Sequence, residues 1–124
     1  MNGNKFFLDT NAIIALLKGN SFIEDILSKA EWIGISCISI IEFLAFPNLD
    51  PDDKILFQTL IKRVEVIGIS NDILWLEKLA NQKIETKLKL PDVIIAGYSI
   101  HLQDTLISND KELKRIPNLS QLNF

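Results

Sequence analysis

Short apolar runs alternate with segments of helical period along the chain, and turn or cap residues separate most of them. Lys5-Phe6-Phe7-Leu8 reads as a first strand, followed by a helix through Asn11 to Lys18 that Gly19 can end in a left-handed cap. Ser21-Phe22-Ile23-Glu24 has capping-box spacing and predicts a second helix to about Ala30, and Trp32 to Ser36 reads as a second strand. Ser39-Ile40-Ile41-Glu42 repeats the capping-box spacing, so a third helix is expected to begin there and end near Pro47. Asp50 as cap and Pro51 in the first turn open a helix through Arg63. Val64 to Ile69 is a third strand, and Ser70 or Asn71 is expected to cap a helix with the apolar stripe Ile73, Leu74, Leu76, Leu79 and Ala80. Pro91 suits the first turn of a helix from Asp92 to about Gln103, apolar over most of its circumference and therefore expected to be largely buried. Thr105 to Ser108 is a fourth strand, Asp110 begins a short helix, and Leu119 to Phe124 adds an edge strand.

Strands separated by helices predict an α/β fold: one three-layer domain over residues 1–124, with a mostly parallel sheet of four to five strands flanked by helices on both faces. No low-complexity linker divides the chain, and 124 residues suffice for a real core. In such sheets ligands bind beyond the carboxyl ends of the strands, near the point where strand order reverses. Asp9 follows the first strand and Asp110 the fourth, so both are expected on that one edge.

Charge patterning makes these acids conspicuous. Asp9 is the only charged residue between Lys5 and Lys18, Glu42 the only one between Glu31 and Asp50, and Asp92 the only one between Lys89 and Asp104. A buried unpaired carboxylate costs several kcal/mol, on the order of one poorly compensated ion, so it needs a partner or a task. Singly, each has a local use: Glu42 as the third-position acid of a capping box, Asp92 as a first-turn acid complementing the helix dipole. Converging, they need protons or a divalent cation, since one like-charge pair at about 4 Å costs roughly 4 kcal/mol at an effective dielectric near 20. Ala96 and Ser99, four and seven residues beyond Asp92, are expected to leave small, polar space for a hydrated ion. Oxygen ligation favours Mg²⁺ or Mn²⁺ over Zn²⁺, because the chain has one histidine and one cysteine.

Those two residues read as ordinary: His101 as a helix surface residue, Cys37 as a buried small hydrophobe. A lone cysteine fits a reducing cytoplasm. Trp32 to Leu49 is nearly free of charge but is interrupted by Gly34, Glu42 and Pro47, and Asp9 cuts short the first apolar run, so no membrane association and a cytoplasmic location are expected. A net charge of −3 and a pI near 5.1 argue against general attraction to nucleic acid. Distribution qualifies this. From Lys78 to Lys89 four lysines face one glutamate just before Asp92, and Lys111, Lys114 and Arg115 follow Asp110. Each cluster reads as a solvated helical face or as a contact for a phosphate-bearing substrate.

Phe7-Leu8-Asp9-Thr10-Asn11, Ser39-Ile40-Ile41-Glu42-Phe43, Leu90-Pro91-Asp92-Val93-Ile94-Ile95-Ala96 and Leu106-Ile107-Ser108-Asn109-Asp110 resemble, in order and spacing, the four acidic motifs of the PIN domain. More narrowly, the chain resembles the single-domain VapC-type ribonuclease toxins of prokaryotic toxin–antitoxin pairs. The resemblance implies a Mg²⁺-dependent endoribonuclease that is homodimeric and held inactive by a cognate antitoxin. Carried over to this sequence, it implies Asp9 and Asp92 as principal metal ligands, Asp110 completing the site, and Glu42 positioning a water or taking its proton. It leaves Thr10, Asn11, Ser108 and Asn109 to orient these carboxylates; Ser108 stands where the family often has threonine. Lys83, Lys87, Lys89 and Lys111 are the RNA-binding candidates. The implied reaction is in-line hydrolysis of an RNA phosphodiester by metal-activated water, leaving 5′-phosphate and 3′-hydroxyl ends. Two other readings stand beside it: a noncatalytic RNA- or partner-binding module on the same fold, and a phosphoacceptor receiver domain. The receiver fits badly, lacking adjacent acids after the first strand, an acid after Val64 to Ile69, and a lysine directly after the last strand.

Overall fold

The computed structural model describes residues 4–124, so the expected domain start at residue 1 lies outside the described residues. Along the chain run β1 (Lys5–Leu8), α1 (Thr10–Leu17), α2 (Ser21–Ser28), β2 (Trp32–Ser36), α3 (Cys37–Leu44), α4 (Pro51–Ile61), β3 (Glu65–Ile67), α5 (Ile73–Thr86), α6 (Leu90–Leu102), β4 (Thr105–Ile107), a 3₁₀ turn (Lys111–Arg115) and β5 (Gln121–Leu122). The strands form one five-stranded sheet in the order β3-β2-β1-β4-β5. Every pairing is parallel. This order differs from the 2-1-3-4-5 order of receiver-type sheets, which removes that reading. It also reverses at β1, so the crevice beyond β1 and β4 is the switch point at which such sheets bind ligands.

Register decides what stands there. Leu8 lies opposite Ile35 on one side and Ile107 on the other, so the next residues, Asp9, Ser36 and Ser108, line the carboxyl edge of the sheet. Alternation along the strands separates two cores. Phe7 and Leu106 pack with Leu79 and with Val93, Ile95 and Ala96 of α6. Phe6, Leu8, Ile35 and Ile107 pack on the opposite face with Ala12, Ile13, Phe43 and Phe57. Trp32 stacks parallel on Phe7 with ring centroids 6.4 Å apart, and its indole also covers Gly34, where any Cβ would collide with the ring.

Several predicted boundaries move because neighbouring residues compete to cap the same helix. Asn20, not Ser21, accepts the Ile23 N–H of α2, at 3.0 Å. Ser36 ends β2 and at once caps α3, accepting from Ile38 N at 3.1 Å, so α3 starts at Cys37 instead of Ser39. Asp72 caps α5, with Ser70 Oγ accepting the Asp72 N–H beneath it. Asp50 caps α4 with Pro51 in the first turn, as predicted. Two burial expectations also fail. On α5 only Leu79 of the predicted stripe is buried, because that helix packs on α6 along one narrow face and leaves Ile73, Leu74 and Ala80 to solvent. Cys37, at the first turn of α3, is partly exposed. α6 is buried from Val93 to Ser99, as its all-round apolarity predicts. Among the described residues no helix is long and apolar enough to cross a membrane.

Candidate metal centre

Of the four acids Asp9 is the most buried, 7% exposed, and both its oxygens are held. Oδ1 accepts the Thr10 N–H at 2.7 Å and Oδ2 accepts the Ser108 hydroxyl at 2.7 Å. Ser108 Oγ in turn accepts the Asp110 N–H at 3.1 Å, so one serine links the end of β1 to the residue that opens the 3₁₀ turn. Thr10 plays the same part toward α3: its hydroxyl donates to Glu42 Oε1 at 2.7 Å. Because α3 starts at Cys37, Glu42 is its sixth residue and lies beyond reach of the free N–H groups of its own first turn. The capping-box use of Glu42 is therefore absent, and its partner is a residue 32 positions away.

Asp92 is the third residue of α6, a helix whose next residues, Val93, Ile95 and Ala96, share a core with Phe7 and Leu106, and its carboxyl stands within the influence of Asp9, Glu42 and Asp110. Carboxylate oxygens of Asp92, Asp110 and Glu112 lie within 4.8 Å of one another. Asp9 and Glu42 stand outside that triad but within its field. Burial pushes Asp92 up from 3.8 to about 6, with Asp110, Asp9, Glu42 and Glu112 adding to the rise. Burial also raises Asp9; the bonds from Ser108 and Thr10 oppose it, and Glu42 and Asp110 reinforce it. Every charged group acting appreciably on these two aspartates is another carboxylate. The four acids picked out in the sequence thus meet in one place, with no cation of the described residues acting on Asp9 or Asp92. An oxygen-only donor set of this kind fits a hard divalent ion, Mg²⁺ or Mn²⁺, and is poorly suited to Zn²⁺.

Other expected site residues divide. Thr10 and Ser108 hold carboxylates as described. Asn11 is exposed and makes no hydrogen bond to any of the four acids. Asn109 turns the other way: its Nδ2 donates to Phe124 O at 2.8 Å and its Oδ1 accepts Phe124 N–H at 2.7 Å, so it fastens the chain end beside β4. Ser99 does not line the space at Asp92. It donates to Asp104 Oδ1 at 2.5 Å at the far end of α6, where burial lifts the Asp104 carboxyl to about 6 against the opposing effects of Ser99 and Lys5. His101 is exposed, with its ring 4.8 Å from that of Trp75.

Glu112 was not singled out by the sequence. Its signal was an acid two residues beyond Asp110, but among Lys111, Lys114 and Arg115 it looks like part of an ordinary charged turn. Arg115 Nη1 donates to Thr86 O at 3.4 Å, tying the 3₁₀ turn to the last residue of α5. Lys87, Lys89 and Lys111 on these segments are exposed, while Lys83 folds back to donate to Leu88 O at 3.3 Å.

A family model for the PIN domain matches residues 6–119. A comparison with curated proteins finds no match. Among solved structures the chain is similar to VapBC2 from Rickettsia felis bound to a promoter DNA fragment, with a TM-score of 0.81 and 24% identity over 97% of this chain and 98% of that one. It is similar to a toxin–antitoxin complex from Klebsiella pneumoniae, at 26% identity and a TM-score of 0.74, covering 91% and 93% of the two chains. VapBC-1 from nontypeable Haemophilus influenzae is 26% identical with a TM-score of 0.75, covering 96% and 97%. With the family model spanning all four acidic motifs and the sheet placing their carboxylates on one edge, the chain belongs to the PIN domain family.

Proposed function

We propose that this protein is a Mg²⁺- or Mn²⁺-dependent endoribonuclease, the toxin of a VapC-type toxin–antitoxin pair. The observation that carries the reading is the convergence of Asp9, Glu42, Asp92 and Asp110 at the switch point of the sheet, where no cation of the described residues compensates Asp9 or Asp92. Asp92 at the start of α6, Asp110 at the cap of the 3₁₀ turn and Asp9 after β1 are the residues that would hold the ion. A divalent cation held by these residues would supply charge neutralisation at the phosphate oxygens and a water acidic enough to attack at neutral pH. Thr10 N–H and Ser108 fix the Asp9 carboxylate so that no reorganisation is needed when substrate arrives. Glu42, steadied by the Thr10 hydroxyl, orients the attacking water and takes its proton. Attack in line with the O3′ leaving group yields 5′-phosphate and 3′-hydroxyl ends. Lys87 and Lys89, just ahead of Asp92 in the chain, and Lys111, directly after Asp110, are exposed and suit the phosphates of a single strand.

Similarity to a toxin–antitoxin complex and to VapBC structures supports an antitoxin as the partner that inhibits it. An open apolar groove lined by Ile14, Leu17, Phe43, Phe46 and Leu49, with Leu44 exposed close by on α3, offers a surface for such a partner or for a second copy. The test is to incubate purified protein with RNA and Mg²⁺, with chelator, and as Asp9→Asn. Cleavage in the first condition alone supports the reading. Cleavage that survives both changes overturns the metal mechanism, and RNA binding without cleavage by the intact protein favours a noncatalytic module.

A further inference from the structure

We infer that an aromatic hollow between α5 and α6, away from the acids, seats a nucleobase of the RNA strand that is cut; the inference rests on the endoribonuclease reading given above. Asp92 opens α6 and His101 stands near its end, a rise along the helix of about 13 Å. At that end two adjoining hollows of about 320 and 290 Å³ share Trp75, Lys78 and His101. Each is close to the lower bound of small-ligand sites, about 300 Å³, and so suits a single flat ring system. Their common wall is aromatic. The Trp75 indole meets the Tyr98 ring edge-on with centroids 5.2 Å apart, and lies 4.8 Å from the His101 imidazole at a tilt of 47°. Neither ring stacks parallel on the indole, and the indole N–H is shielded from solvent without a hydrogen-bond partner among the described residues. A buried indole N–H ordinarily finds an acceptor, which a ring nitrogen or carbonyl of a base supplies. Hydrogen-bonding groups of both kinds line the same hollow: Asp72 offers carboxylate oxygens, Lys78 and His101 offer donors, and the Tyr98 hydroxyl, which accepts the Ser70 N–H at 2.5 Å, keeps its own proton to donate. Aromatic faces with mixed donors and acceptors are what an unstacked base of single-stranded RNA requires. A strand has a route from the acids. Trp75, Lys78, Gln82 and Thr86 recur three and four residues apart and form one ridge of α5, with Gln82 beside Gly97 of α6. At the far end of the ridge Arg115 donates to Thr86 O, and Lys87 follows, so phosphates along it meet Lys87 at one end and Lys78 at the other.

The test is the affinity for a labelled single strand of about twelve nucleotides, within the span of one binding groove, followed by fluorescence anisotropy in a non-cleaving Asp92→Asn background. KM for the same strand in the cleaving protein gives a second readout. His101→Ala is expected to weaken binding about fivefold or more, the effect of losing one stacking partner of a base, and to raise KM in step. The far-ultraviolet circular dichroism should not change, since that side chain is exposed. Lys78→Ala is expected to flatten the dependence of binding on log salt by about 0.7, one phosphate contact, whereas Lys54→Ala on α4, in the layer across the sheet, serves as a charge control with unchanged affinity. Unaltered affinity and KM in His101→Ala, or an equal loss in Lys54→Ala, overturns the inference while leaving the carboxylate site intact. Guanosine 5′-monophosphate that quenches tryptophan fluorescence in the unaltered protein but not in His101→Ala, with RNA affinity the same in both, assigns the hollow to a free nucleotide and overturns the strand. If the unaltered protein neither binds nor cuts RNA, the endoribonuclease reading itself fails, and this inference with it.

Discussion

Two aspartates at opposite ends of α6 are held near 6 for different reasons. At Asp92 burial acts together with four neighbouring carboxylates; at Asp104 burial acts against Ser99 and Lys5. A carboxyl raised above its ordinary 3.8 binds its proton more tightly in the folded chain, so its contribution to stability is complete below about pH 4 and is lost as pH rises through about 6. Metal-free protein is therefore expected to have its highest urea midpoint on the acidic side and to lose stability over that window. Asp92→Asn removes the part of the loss that added Mg²⁺ or Mn²⁺ also reverses, and Asp104→Asn removes a part that the cation does not touch. A midpoint that rises with pH over the same window contradicts this. At this scale the sequence was legible where an acid stood alone: Asp9, Glu42 and Asp92 betray themselves as single charges in apolar runs. Glu112 did not, because basic neighbours disguise it. Nor do adjacent polar residues show their direction: Ser108 turns to Asp9 while Asn109 turns to Phe124.

Elements bring these residues together through their starting points, and α3 shows how much one residue matters. Two serines, Ser36 and Ser39, are competent to cap it, and spacing alone favours the second through its match to Glu42. The sheet chooses the first, since Ser36 pairs with Ile67 at the end of β2 and passes directly into the helix. That choice shifts Glu42 from a capping position to one facing Thr10. Ser36→Ala should cost about 1 kcal/mol, the usual effect of losing an N-cap, and more where the freed N–H is buried. Urea denaturation measures it, and a variant as stable as the parent would show that Ser39 takes over the cap. A similar substitution at Ser39 should not alter the helix start, because that hydroxyl is buried and bonds no backbone N–H of α3.

At the scale of the whole molecule, the alternation of strands and helices made the α/β class and the parallel sheet readable. The order β3-β2-β1-β4-β5 was not, because no local pattern records which strands become neighbours. That order is what turns two strand ends into one crevice. The 3₁₀ turn is also tied to the end of α5, just ahead of Lys87 and Lys89, through Arg115 and Thr86 O. Replacing Lys87, Lys89 and Lys111 by alanine in a non-cleaving Asp92→Asn background is expected to weaken RNA binding and to flatten its dependence on log salt by about 0.7 per lost phosphate contact. An unchanged salt slope would move the RNA path elsewhere. The most direct test of the central claim is the rate of RNA cleavage as Mg²⁺ is titrated into chelator-treated protein, unaltered and as Asp92→Asn. The account predicts a rate that rises from background and saturates with Mg²⁺ in the unaltered protein and stays at background in the variant; equal rates in both proteins, or a rate indifferent to Mg²⁺, would contradict it.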